Sequence, residues 1–455
     1  MLSGRALVFA VSAAVLFTAS AYGQSRDSID ERYRRSSLCV LLMDETGMPM
    51  RDVIKQAFVL SPIPDKYNDH NIEERIIDLK SYRVTDRDRA AFEAASCDDP
   101  SAAVVSAGSP RNNGALGGVM KSMLGLPVIT GGNNSTMNGD DYAVAANMHI
   151  VRNNVAKQLV DNWFIAEDSL FSMERVRERG LYAASALDIE MARSSVRGMA
   201  MLEDAGEELI GNTFVVVSRY RYLSKDELVA EIGAIARAAA QLSGNQYVQL
   251  GASAATLAIK ASLGAGYYVR TTSYLFKLRW NRQVASEFYT RLWGDREAYD
   301  STELFSLQYI GSESAWANVK ESIFTTKPRS ELVRIATVNA SDAAIAKLAK
   351  NNDVFKTKTP LIVADGAIYA RIGMKEGLEA GDRFEVLERI FDERTGRTSY
   401  RRRGVVKVSR NQIWDNRYMA DEELRLSGRE QGFDMTRFVG STKGLYSGML
   451  LRQIK

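Results

Sequence analysis

Histidine and cysteine are almost absent. The 455-residue chain contains two of each: His70 and His149, Cys39 and Cys97. A zinc site of thiolates and imidazoles needs about four ligands at set spacings, and these four residues form no such cluster. A histidine-dependent catalytic triad would have only His70 and His149 to draw its base from. Neither lies near a G-x-S-x-G elbow or an H-E-x-x-H helix. The glycines contain no G-x-x-x-x-G-K-[ST] phosphate loop. No cofactor is implied by any motif. Strong charge of one sign is also missing, since the formal net charge is only +3. Together with the export signal described next, near-neutrality argues against nucleic acid as a partner.

What the sequence does have begins at its first residues. Arg5 precedes the apolar run Ala6–Ala19, "ALVFAVSAAVLFTA", and Ala21 and Gly23 place small residues where a signal peptidase reads. This is the pattern of a secretory signal peptide over residues 1–23, cut before Gln24. The run is shorter than the ~20 apolar residues that span a bilayer comfortably. The mature chain is therefore expected to be exported, to the periplasm or the periphery of an outer membrane. In such a compartment Cys39 and Cys97 are candidates for one disulfide.

The mature length calls for two or three domains. Residues 24–104 read as an α/β segment. "SSLCVLLMDE" (36–45) is a short apolar strand, and "MPMRDVIKQAFVL" is a helix with Val53, Ile54 and Phe58 on one face. "SPIPDKYNDHN" (61–71) is a loop; Asp65, Asp69 and His70 there resemble metal ligands but read better as an Asx-rich turn. Residues 105–140 are rich in Gly, Asn and Ser, the composition of a flexible insertion. Residues 141–340 read as an α+β domain. Val155, Leu159, Val160 and Trp163 recur at helical steps, and strands at 212–223 and 266–280 form an antiparallel pair. Between them lies an Ala/Gly-rich excursion, 231–266, with Lys260 as the only charge after Tyr247. Contact of 247–266 with a membrane is an alternative to a simple excursion, although a central lysine costs ~3 kcal/mol there. Residues 341–359 read as a connecting helix that Ser341 could cap.

Residues 360–455 carry the densest turn pattern. In "KEGLEAGDRFEVLERIFDERTGRTSYRRRGVVKV", Phe384 and Val386 alternate with charged residues, and "DERTG" has the length and composition of a hairpin loop. Several short strands over this length predict a small SH3-like all-β barrel. The stretch "ARIGMKEGLEAGDRFEVLERIFDERTGRTSYRRRGVVKVS" resembles the small C-terminal β-barrel of flagellar assembly protein T and similar bacterial envelope proteins. That resemblance implies a fold and no particular activity. By "IPDKYNDHN", "GNTFVVV" and "IWDNRY" the whole chain resembles a group of exported proteins of Bacteroidales-type bacteria. The fold class expected is thus α+β: a mixed helix and antiparallel-strand N-terminal region with a flexible insertion, then the barrel.

Eight basic residues lie between Arg389 and Arg410 against two acidic ones, Asp392 and Glu393. Arg397, Arg401, Arg402, Arg403 and Lys407 are candidates for a partner-binding edge that meets envelope proteins or an acidic surface. The plainer reading is charge that keeps an edge strand from pairing with other chains. The function expected is that of a non-catalytic exported envelope protein, a binding or assembly component. The alternatives are a carboxylate-based, glycosidase-like envelope hydrolase and a protein touching the membrane through residues 247–266.

Overall fold

The computed structural model describes residues 33–45, 48, 50–97, 141–165, 171–183, 196–223, 226–230, 233–234, 266–320, 328–392, 397–426, 428 and 431–454. The expected signal peptide, the insertion at 105–140 and nearly all of the Ala/Gly-rich excursion lie outside them.

All nine residues of β1 (Ser36–Asp44) are buried. Successive side chains of a strand point to opposite faces, so a wholly buried strand needs apolar cover on both sides. That cover comes from α1 (Arg51–Leu60), α2 (Asp86–Cys97), α3 (Asp141–Arg152) and α4 (Val155–Phe164), with β2 (Tyr67–Asp69) and β3 (Ile76–Asp78) between the first two. Further along come α5 (Glu174–Ala183), α6 (Val196–Gly211), β4 (Thr213–Leu223), β5 (Gly266–Leu278), α7 (Arg282–Glu287), α8 (Arg296–Asp300), β6 (Leu307–Lys320) and α9 (Arg329–Asn351). The six strands form one sheet in the order β2–β1–β4–β5–β6, with β3 also on β1. Leu38, Val40 and Leu42 face one layer with Ile54, Phe58 and the apolar side of α9. Cys39, Leu41 and Met43 face the other, with Tyr142, Ile150 and Leu159.

The expected antiparallel pairing of β4 with β5 is present, Phe214 opposite Lys277. The region is not antiparallel throughout, however. β1 runs parallel to β2, β3 and β4. The unbroken apolar run of β1 is what a central strand with both faces covered requires.

The helix expected from residue 341 begins twelve residues earlier. α9 spans 23 residues from Arg329, with Pro328 at its N-cap and Ser341 in its interior. Thr337, Asn339 and Ser341 break the sequence pattern, and tertiary burial overrides their weak propensity. Thr337 turns its hydroxyl back onto the Val333 carbonyl, 2.7 Å away. Val333, Ala336, Ala340 and Leu348 are fully buried against the sheet. α9 is therefore a layer of the core and not a connector.

The second sheet contains β7 (Lys358–Pro360), β8 (Ile362–Ala364), β9 (Ala367–Ala370), β10 (Arg383–Asp392), β11 (Arg397–Val408), β12 (Thr436–Val439) and β13 (Leu450–Gln453), with α10 (Ala420–Leu426) outside it. Its order is β7–β13–β10–β11–β12–β9–β8, antiparallel throughout. The two end strands are neighbours in the chain, joined only by Leu361. That residue accepts from Gly448 N–H at 2.9 Å and donates to the Met449 carbonyl at 2.8 Å. The sheet thus curls into a nearly closed barrel, and the molecule as a whole is α+β. Phe384, Val386, Val406, Phe438 and Leu451 fill the barrel, Phe384 meeting Phe438 edge to face at 5.3 Å. The turn "KEGLEAGD" depends on Gly377 and Gly381, both at positive φ (72° and 89°), where glycine carries no Cβ penalty.

Candidate functional site

β10 and β11 make the hairpin that bears the arginines. Their register slips between Val386 and Leu387: Val386 faces Gly404 and Leu387 faces Arg402, which leaves Arg403 as the extra residue of a bulge. The bulge lets two arginines reach one carboxylate. Glu388 accepts from Arg401 at 2.7 and 3.1 Å and from Arg403 at 2.8 and 2.9 Å. These charge-assisted bonds, Arg403 foremost, lower its carboxyl to about 2. One face over, Glu385 accepts from Arg452 at 2.6 Å and lies 3.7 Å from Arg402. Lys407 is exposed, its backbone pairing with Arg383 and Val439. Arg397 pairs with Asp392 along the backbone at the hairpin tip, and its side chain lies outside the described residues. Among the described residues β12 reaches β11 only at Lys407 and Val408, so 397–405 form an open edge. At this edge Tyr400 donates its hydroxyl to Glu208 of α6, 3.3 Å away, tying the hairpin back to the first sheet's helices.

The remaining sequence candidates disperse. Cys39, a candidate for a bridge to Cys97, carries a free, buried thiol; burial pushes its pKa up to about 12. Cys97 ends α2, and its side chain lies outside the described residues. His70 is 1% exposed and packs on Trp163, ring centres 5.1 Å apart. Arg179 can only donate, so His70 Nδ1 accepts from it, and Nε2–H donates to the Leu159 carbonyl at 2.8 Å. Burial holds this imidazole neutral, its pKa well below the ordinary value. His149 is bonded to the Tyr82 hydroxyl at 2.8 Å and to Asn153 at 3.1 Å. Asp69 closes an Asx turn by accepting from Asn71 N–H at 3.0 Å.

One site has no forerunner in the sequence reading. Arg35, 7% exposed, precedes β1 and stacks its guanidinium over the rings of Tyr67 (4.3 Å) and Phe355 (5.4 Å). It lines a cleft between the two sheets, whose walls include Lys66, Thr357, Lys375, Glu376 and Asp342 of α9. Arg35 Nε and Nη1, the Tyr67 hydroxyl and the Thr357 hydroxyl are all buried without a hydrogen-bond partner. Burial lowers the Arg35 pKa to about 10, which still leaves it charged at neutral pH. Burial raises Asp342 to about 6, against an opposing pull from Lys375. Within "YRRSS" nothing separates Arg35 from Arg34. The only available signal is its place at the mouth of an apolar strand.

No protein-family model matches the chain, and a search of curated proteins finds no match.

Proposed function

We propose that this chain is a non-catalytic exported envelope protein that binds or assembles with other envelope components, and that an acidic partner docks on the arginine-bearing edge of β11. The observation that carries this reading is the fixed geometry of the hairpin. Arg401, Arg402 and Arg403 stand on the stretch of β11 that β12 does not reach, with 56%, 57% and 38% of their side chains exposed. Among the described residues they and Arg452 share two carboxylates, Glu385 and Glu388, so the cluster keeps a positive excess there. Pre-positioned guanidiniums lose little entropy on binding a carboxylate or phosphate. An open strand edge can also add a strand from a partner. The core-locked His70 and His149 support a binding role over histidine-based chemistry. Among the described residues no helix is long and apolar enough to cross a membrane.

Affinity capture from envelope fractions with the full mature chain tests this. A folded Arg401→Ser/Arg402→Ser variant should lose its acidic partner, and raised salt should weaken capture by the unaltered chain. Equal capture by the variant would mean that the arginines only protect the edge.

A further inference from the structure

We propose that the cleft around Arg35 is a binding site for a small organic carboxylate. Buried polar groups in proteins are nearly always hydrogen-bonded, so four unpartnered donor atoms on three residues of one cleft ask for a ligand. An arginine with two buried, unused N–H groups is the costliest of them to leave unmet. Each of these N–H groups can donate a charge-assisted hydrogen bond to a carboxylate oxygen, Nε and Nη1 from different edges of the guanidinium, and the hydroxyls of Tyr67 and Thr357 can donate to the same group. Stacking on Tyr67 and Phe355 fixes the guanidinium before any ligand arrives.

The charges select the class. Three cationic side chains, Arg35, Lys66 and Lys375, line the cleft against two carboxylates, Asp342 and Glu376. The excess of one positive charge suits a monoanion. A phosphate dianion would bring a second negative charge against Asp342 and Glu376. Ile345, Ala346 and Pro64 supply apolar wall for the organic part of the ligand.

The test is titration of the full chain with acetate, with glycine and with inorganic phosphate, followed by amide chemical shifts. Saturable shifts with acetate, glycine or both, at residues lining the cleft, are expected. Binding of glycine alone would place an ammonium group beside Asp342 and Glu376 and still meet the proposal. Arg35→Lys keeps the charge and loses the fixed planar donors, and should weaken binding by about tenfold. Thr357→Val preserves shape and should weaken it by roughly threefold; it decides the matter if Arg35→Lys does not fold. Absence of saturation with both carboxylates, binding of phosphate alone, or affinity unchanged in the folded variants would each overturn the proposal.

Discussion

Asp342 and Glu388 are carboxylates driven in opposite directions, and each fixes a pH dependence. Asp342 rises from 3.8 to about 6 through desolvation. Its folded state therefore favours the proton: the stabilising contribution is complete below the unfolded value and is lost as the pH rises through about 6. Asp342→Asn, permanently neutral, should raise the melting temperature by more at pH 8 than at pH 4, as calorimetry would show. Glu388 falls from 4.5 to about 2. Its contribution is complete above the unfolded value and lost as the pH falls through about 2. Glu388→Gln should accordingly flatten the melting curve's dependence on pH across that window. Arg401→Ser or Arg403→Ser, made singly, should leave the melting temperature almost unchanged, because the other arginine still holds Glu388. Phe384→Ala, in contrast, empties a fully buried position in the barrel and should cost ~3 to 5 kcal/mol by chemical denaturation. If the arginine changes unfolded the domain and the phenylalanine change did not, the strand faces would be reversed. The inward face of β10 was legible from the alternation of Phe384 and Val386. The pairing of Arg401 and Arg403 on Glu388 was not, because it depends on a bulge that no periodicity announces.

The Ile54/Phe58 stripe of α1 follows from helical periodicity, and the β4–β5 pair follows from β-branched and aromatic content. α9 was cut short because its first half mixes Thr337 and Asn339 with apolar residues, and only the sheet beneath explains why it stays helical. The parallel neighbours of β1 were invisible for a related reason: partners far away along the chain leave no local mark. The Arg35 cleft shares this origin, since its walls come from five separate stretches of sequence. Close packing of elements yields a further test. A Cβ on Gly206 of α6 would lie 2.3 Å from the Val176 carbonyl oxygen of α5. Gly206→Ala must push these helices apart and should destabilise the fold by ~1 to 3 kcal/mol in urea unfolding.

The two sheets hold one another along α9 and the hairpin. Lys350 of α9 donates to Asp382 before β10 at 3.1 and 3.2 Å, and Tyr418 and Met419 pack against the core of the first sheet. A fragment of residues 356–454 should therefore melt at a lower temperature than the same barrel in the full chain, seen by far-ultraviolet dichroism. If export follows the signal pattern, N-terminal sequencing of the mature protein should start near Gln24, and recovery of intact Met1 from cells would overturn that expectation. The parallel pairing of β1 with β4 bears on how the chain reaches this state. Ser37 stands opposite Thr213, so the wholly buried β1 leaves the ribosome long before the strand that completes its hydrogen bonds. Such non-local pairing slows folding and prolongs the exposure of sticky segments. The newly made chain thus has a long interval in which Leu38 to Met43 must be shielded by something other than its own sheet, and a holding chaperone should find its first grip there.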